Sequence, residues 1–184
     1  KARSIPDATH GLHSIITVTK PEVDTDTAAA YSAQNIRSMD EGFALEEPAL
    51  LGQIKEFDEM TTNHIQPIFP QLVVQQIHNT LVARQLLAKG PSNFELVFHF
   101  FGYEADTPEL RELRLLQANL VGPAGYISME DTEATELVQR GTARDGDKHS
   151  YIAMAREAPE QQDTVITENL IRRFWVGYQK LMGY

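Results

Sequence analysis

The sequence predicts an α+β domain in which a curved antiparallel sheet grips a long C-terminal helix. Three observations predict it. Strand-like runs with a period of two fill the middle of the chain, helix-like runs follow them instead of alternating with them, and the last element has the clearest amphipathic period.

The elements can be justified in order. Between Gly11 and Lys20 the β-branched run Ile15-Ile16-Thr17-Val18-Thr19 reads as a strand, ended by Lys20-Pro21. The residues before it form neither an evident strand nor a clean helix cap. Asp24 to Pro48 is Ala-rich and acidic without a period, which reads as one or two short helices or a surface excursion of the kind that covers a pocket. A short helix is expected near Pro48 to Phe57.

Three apolar runs follow, His64 to Phe69, Leu72 to Leu87 and Phe94 to Tyr103. In the last, Phe94, Leu96, Phe98 and Phe100 alternate with Glu95, Val97, His99 and Phe101, so the two sets point to opposite faces of a strand. Lys89-Gly90-Pro91-Ser92-Asn93 is a turn cluster that makes the second and third runs antiparallel neighbours in a meander. Thr107-Pro108-Glu109 then opens a helix, with Thr107 as N-cap and Pro108 at its first position. That helix runs through Leu110, Leu113, Leu115, Leu116 and Leu120 to the Gly122-Pro123-Ala124-Gly125 turn. A second helix is expected from about Met129 to Gln139, a polar loop from Gly141 to Asp147 and an edge strand from Ser150 to Ala155. From Thr167 to Met182, Leu170, Ile171, Phe174, Trp175, Tyr178, Leu181 and Met182 recur at three- and four-residue spacing, the stripe of a helix that needs a sheet to lie against.

Composition narrows the function. The 184 residues suit one domain, 1–184. Sixteen Lys and Arg against 26 Asp and Glu give a net charge of −10, which repels phosphate backbones and anionic membrane surfaces, so no nucleic acid and no membrane is expected as partner. No apolar run approaches the roughly 20 residues of a membrane span, and the opening lacks a signal-peptide core; a cytoplasmic, soluble protein is expected. The absence of cysteine excludes disulfides, thiolate metal sites and iron–sulfur ligation by this sequence, leaving His and carboxylates for any metal. The opening at Lys1 suggests a piece of something longer.

Six histidines are present. His10-x-x-His13 has a spacing that can bind metal from a tight turn, but beside Gly11 it reads more simply as an exposed loop pair. His64, His78 and His99 fall on expected strands, where surface or hydrogen-bonded histidines are the usual case. The most informative segment is Val121 to Asp131. By its residues alone it is a loop and a helix start, in which Ser128-x-x-Asp131 has capping-box spacing and Asp131, with Glu130 and Glu133, favours the positive helix end.

The same segment resembles the Gly-Pro-Ala-Gly stretch of the large subunits of Rieske non-haem iron aromatic-ring-hydroxylating dioxygenases. The resemblance extends from about Ile68: Ile68-Phe69-Pro70, Lys89-Gly90-Pro91, Phe94-Glu95-Leu96-Val97, the Leu-rich helix, Gly122 to Asp131, and Thr167-Glu168-x-x-Ile171-Arg172-x-Phe174-Trp175 occur in the order of the second half of such a catalytic domain. It is closest to enzymes acting on aromatic acids of the anthranilate, salicylate and terephthalate type. It implies a helix-grip (Bet v 1/START-like) fold, and Asp131 as the carboxylate ligand of a catalytic Fe(II) held with two imidazoles, leaving positions for O₂. It also implies a small aromatic substrate that gains two hydroxyls on adjacent ring carbons, and a homotrimer of large subunits joined by small subunits. A 2Fe–2S Rieske cluster would lie on an N-terminal domain and be fed by a ferredoxin or reductase.

The departures are equally specific. Neither the Cys-x-His and Cys-x-x-His pairs of a Rieske domain nor the Asp-x-x-His-x-x-x-x-His segment occurs here. Asp7 stands three residues before His10, but the gap from His10 to His13 fails, so no ligand role transfers to them. The expectation is the C-terminal part of the catalytic domain, with an incomplete iron site and no activity by itself. By position in the family pattern, Val121 and Ile127 line the substrate cavity, and Thr80 and Val82 are further candidates for which plain core packing is the competing reading. Gln71, Gln75, Gln76, Asn79 and Arg84 are available to meet a substrate carboxylate. Two other readings stand beside this one: a stand-alone helix-grip module binding an apolar ligand without metal, and a small metalloenzyme using His10, His13 and Asp131.

Overall fold

The computed structural model describes residues 2–19, 42, 45–57, 61–144, 146–149 and 168–183. Six strands form one curved, open sheet: β1 (Ala2–Pro6), β2 (Ser14–Thr19), β3 (Thr61–Ile68), β4 (Leu72–Ile77), β5 (Thr80–Ala88) and β6 (Phe94–Phe101). Each pairs antiparallel with the next, so spatial order equals chain order. The meander is therefore present, with two additions to the expected strands.

The first addition is β1, which lacks a β-branched run and is a strand because Ala2 to Pro6 pairs with Val18 to Ser14. The second is a break in the Leu72–Leu87 run, which folds back at His78-Asn79. His78 takes a φ of 51°, in the left-handed region that tight two-residue turns require. Tertiary contacts hold that turn: Asn79 is buried, its N–H donates to Gln117 Oε1 at 2.9 Å, and its side-chain amide donates to Ile54 O at 2.7 Å.

Among the described residues three α-helices follow the strands. In α1 (Pro108–Val121) the Thr107 hydroxyl accepts the Leu110 N–H at 3.3 Å, the cap the sequence predicts. The next helix, α2 (Tyr126–Arg144), starts earlier and ends later than expected, absorbing Gly141 to Arg144 from the anticipated loop. Gly125 makes the early start possible, because a Cβ there would overlap the Leu120 carbonyl. Ser128 accordingly lies inside the helix, its Oγ donating to Val121 O at 2.8 Å. The capping-box reading of Ser128 and Asp131 is thereby corrected. The last helix, α3 (Asn169–Met182), matches its expected span closely. The short helix expected at Pro48 to Phe57 is a single 3-10 turn, Pro48–Leu51. Most of Asp24 to Pro48, and the strand expected at Ser150 to Ala155, lie outside the described residues.

One face of the sheet carries the helices. Register places Ser4, Ile16, Ile65, Gln75, Val82 and Phe100 in a row across that face. At one end α1 lies on β5, where Thr80 Oγ1 donates to Arg114 O at 3.0 Å, and Leu50, Ile77, Val82, Leu120 and Val121 pack as the core. At the other end α3 lies on β1, where Ser4 Oγ donates to Asn169 Oδ1 at 3.0 Å. From there α3 reaches the β3–β4 turn, with the Phe174 ring 6.1 Å from that of Phe69. The architecture is the α+β helix-grip arrangement.

Candidate active-site cleft

The start of α2 presents Ser128, Asp131, Thr132 and Thr135 at i, i+3, i+4 and i+7, one side of a helix. That side meets the open half of the helix-bearing sheet face across a cleft of about 360 Å³. Val73, Leu86, Phe94, Leu96 and Phe98 make its walls apolar, and Pro123 closes it beside the Gly122–Gly125 turn. Two charged side chains enter, Asp131 from the helix and Arg84 from β5.

Arg84 is half-buried opposite Phe98, its guanidinium carbon 5.8 Å from the centre of that ring. Burial weakens its hold on its proton, and the Asp131 carboxylate works in the other direction. Its Nε is buried and has no hydrogen-bond partner. A cation with an unused donor, among apolar walls and facing a carboxylate, is suited to bind an anion with an apolar body.

The other expected site residues are distributed around the cleft, and none of them lines it. Val82 and Val121 are core, 0% and 1% exposed. Thr80 is buried with its hydroxyl committed to α1. Ile127 stands one helical turn before Asp131 and is exposed. The histidines are elsewhere: His10 lies against Arg173 and Gly177 of α3, His13 Nδ1 accepts the Phe69 N–H at 3.1 Å, and His64 Nδ1 is paired with Thr17 Oγ1 at 3.0 Å. Among the described residues no three His, Cys, Asp or Glu come together as a metal site. The small-metalloenzyme reading with His10, His13 and Asp131 therefore does not hold. Among the described residues that line this cleft, Asp131 is the one carboxylate and no imidazole stands beside it.

A larger cleft of about 470 Å³ opens between the end of β6 and α1. Its charged floor is already used. Arg114 donates from Nε and Nη2 to Asp106 at 2.8 and 3.0 Å and also pairs with Glu56 and the Asn79 carbonyl. This fully engaged cluster is structural, and nothing in the local spacing of the Leu-rich helix announces it.

No helix among the described residues is long and apolar enough to cross a membrane. No family model matches the chain. Among curated proteins it is 77% identical over all 184 residues to the anthranilate 1,2-dioxygenase large subunit of Burkholderia cepacia, covering 43% of that protein. It is 42% identical over 154 residues, 84% of the chain and 37% of the relative, to terephthalate 1,2-dioxygenase terminal oxygenase component subunit alpha 2 of a Comamonas species. Over 116 residues, 63% of the chain and 27% of the relative, it is 36% identical to the salicylate 5-hydroxylase large oxygenase component of a Ralstonia species. The chain thus spans less than half the length of the curated relatives it matches. Its homologues are the large subunits of aromatic-ring dioxygenases and related oxygenases, and over all 184 residues the chain is homologous to a part of such a subunit.

Proposed function

We propose that the chain is the C-terminal part of the catalytic domain of an aromatic-ring-hydroxylating dioxygenase large subunit, and that the cleft between α2 and the sheet receives an aromatic acid. The observation that carries this is the pairing of Asp131 and Arg84 across one apolar cleft, in a chain homologous throughout to such subunits. In this reading Arg84 binds the substrate carboxylate. Val73, Leu86, Leu96 and Phe98 flank the ring and keep water from it. Ile127, one turn before Asp131, stands at the exposed start of α2 outside the cleft lining, while Thr80, Val82 and Val121 hold the packed floor that fixes α1 and β5.

Asp131 is the carboxylate ligand of Fe(II), and the two imidazoles come from the part of the full-length protein that this chain does not match. Iron bound there supplies the centre at which O₂ is reduced and added to the ring as two hydroxyls, with two electrons and two protons delivered from outside. A 2Fe–2S Rieske cluster, a ferredoxin or reductase, a homotrimer of large subunits with small subunits, and a cytoplasmic setting belong to the same proposal. The metal-free ligand-binding module is not favoured, because the relatives named are oxygenase subunits.

The test is Asp131→Ala in the full-length protein. Iron content after desalting should fall to background and turnover should vanish, with the circular dichroism spectrum and melting temperature nearly unchanged, since Asp131 is an exposed residue inside a helix and caps nothing. Retained iron with retained turnover would remove Asp131 from the iron site.

A further inference from the structure

We infer that Phe98 is the positioning residue for Arg84, its ring holding the guanidinium in place for an anion without neutralising it. The inference rests on the proposed role of the cleft and adds to it the residue that orients its cation. Across the sheet Arg84 stands between Val73 of β4 and Phe98 of β6, and along β5 its neighbours on that face are Val82 and Leu86. Of these side chains, Phe98 alone has a π face that attracts a cation. The guanidinium carbon lies 5.8 Å from the centre of that ring, within reach of the interaction.

Phe98 is itself held from behind. It packs against the core of Leu50, Ile77, Val82, Leu120 and Val121, and its ring lies 6.3 Å from that of Phe100 at an interplanar angle of 17°. Arg84 has no comparable hold elsewhere. No carboxylate among the described residues forms an ion pair with it, and its buried Nε is without a hydrogen-bond partner. The difference between ring and carboxylate matters for binding. A carboxylate partner cancels the charge and occupies the N–H groups an incoming anion needs. An aromatic face stabilises the cation through its quadrupole and leaves the in-plane N–H groups open. Without that face the guanidinium spreads over other rotamers, including those turned toward Asp131, and affinity falls with the population of the competent one.

The test titrates anthranilate into the oxygen-free, iron-loaded full-length protein. Mono-, di- and trifluorinated phenylalanine at position 98 keep the shape of the ring while draining its face, and avoid the cavity that Phe98→Leu would open beside the core. Kd should rise stepwise along this series, to about fivefold for the trifluorinated ring, and Phe98→Tyr should stay within about twofold of wild type. In an Arg84→Gln background the same series should leave Kd unchanged, because the ring acts through Arg84. A Kd unmoved by fluorination, or an equal rise in the Arg84→Gln background, overturns the inference and leaves the proposed function standing. Anthranilate bound by Arg84→Gln as tightly as by wild type overturns the reading of the cleft, and the inference with it.

Discussion

Arg114 engages two carboxylates and a backbone carbonyl at once. Its planar guanidinium meets Asp106 with two parallel bonds and reaches Glu56 and the Asn79 carbonyl as well, all shielded from water. Removing one partner of a buried ion pair costs far more than an exposed pair is worth, because the remaining charges stay buried without a counter-ion. Arg114→Met should therefore destabilise the fold by about 3 kcal/mol in urea unfolding. A companion prediction concerns acid. The hydrogen bond from Arg114 holds the Asp106 carboxyl below the usual carboxylate range. Its ionised form is favoured more in the folded than in the unfolded chain, so this stability is fully present above about pH 4 and is lost as pH falls through the lowered folded value. Asp106→Asn should melt below wild type at pH 7, and the gap should narrow on acidification below about pH 4; a gap constant with pH would show that the carboxylate's charge contributes nothing. None of this was visible in the sequence, where no local pattern singles out Arg114. Glu56 lies 58 residues away, and no local period reports a partner that distant. Arg84 was visible only as one of five candidates, and its choice depended on where β5 and α2 meet.

Gly177 plays the corresponding part for an element. It lies within α3 against the loop between β1 and β2, where an added Cβ would collide with the His10 carbonyl and press on Leu12. Alanine gains about 1 kcal/mol over glycine in helix propensity. Overpacking against a backbone carbonyl costs about 1–3 kcal/mol and has no flexible side chain to relieve it. The clash should win, so Gly177→Ala should lower the urea midpoint, and a raised midpoint would mean that α3 lies less tightly on the loop. Elements with a strong local signal were readable from sequence: the capped α1, the amphipathic α3, and β6 with its alternating phenylalanines. Those set by neighbours were not. The turn at His78-Asn79 contains no glycine or proline and is held by Gln117 and Ile54. The strand β1 exists because β2 offers it an edge, and the start of α2 was obscured by Ser128, whose capping pattern is spent on the Val121 carbonyl.

At the scale of the whole molecule, the chain provides a sheet, its covering helices and a cleft into which Asp131 and Arg84 enter. It matches 43% of its Burkholderia cepacia relative, and the described residues hold one candidate carboxylate with no imidazole beside it. The helix that carries this carboxylate is also the least buried of the three. Among the 19 residues of α2, Ser128 is the single buried side chain, while Leu137 and Val138 are more than half exposed. Segments with so few buried contacts open at a small fraction of the global unfolding free energy. Backbone amides from Asp131 to Arg144 should therefore exchange with deuterium well before those of β4 and β5, and equal protection would show α2 to be bound into the core. Such local opening moves residue 131 without disturbing the strands. On the iron role proposed for Asp131, such opening would give a metal ion a route into an already folded protein, the scaffold forming first and being charged afterwards.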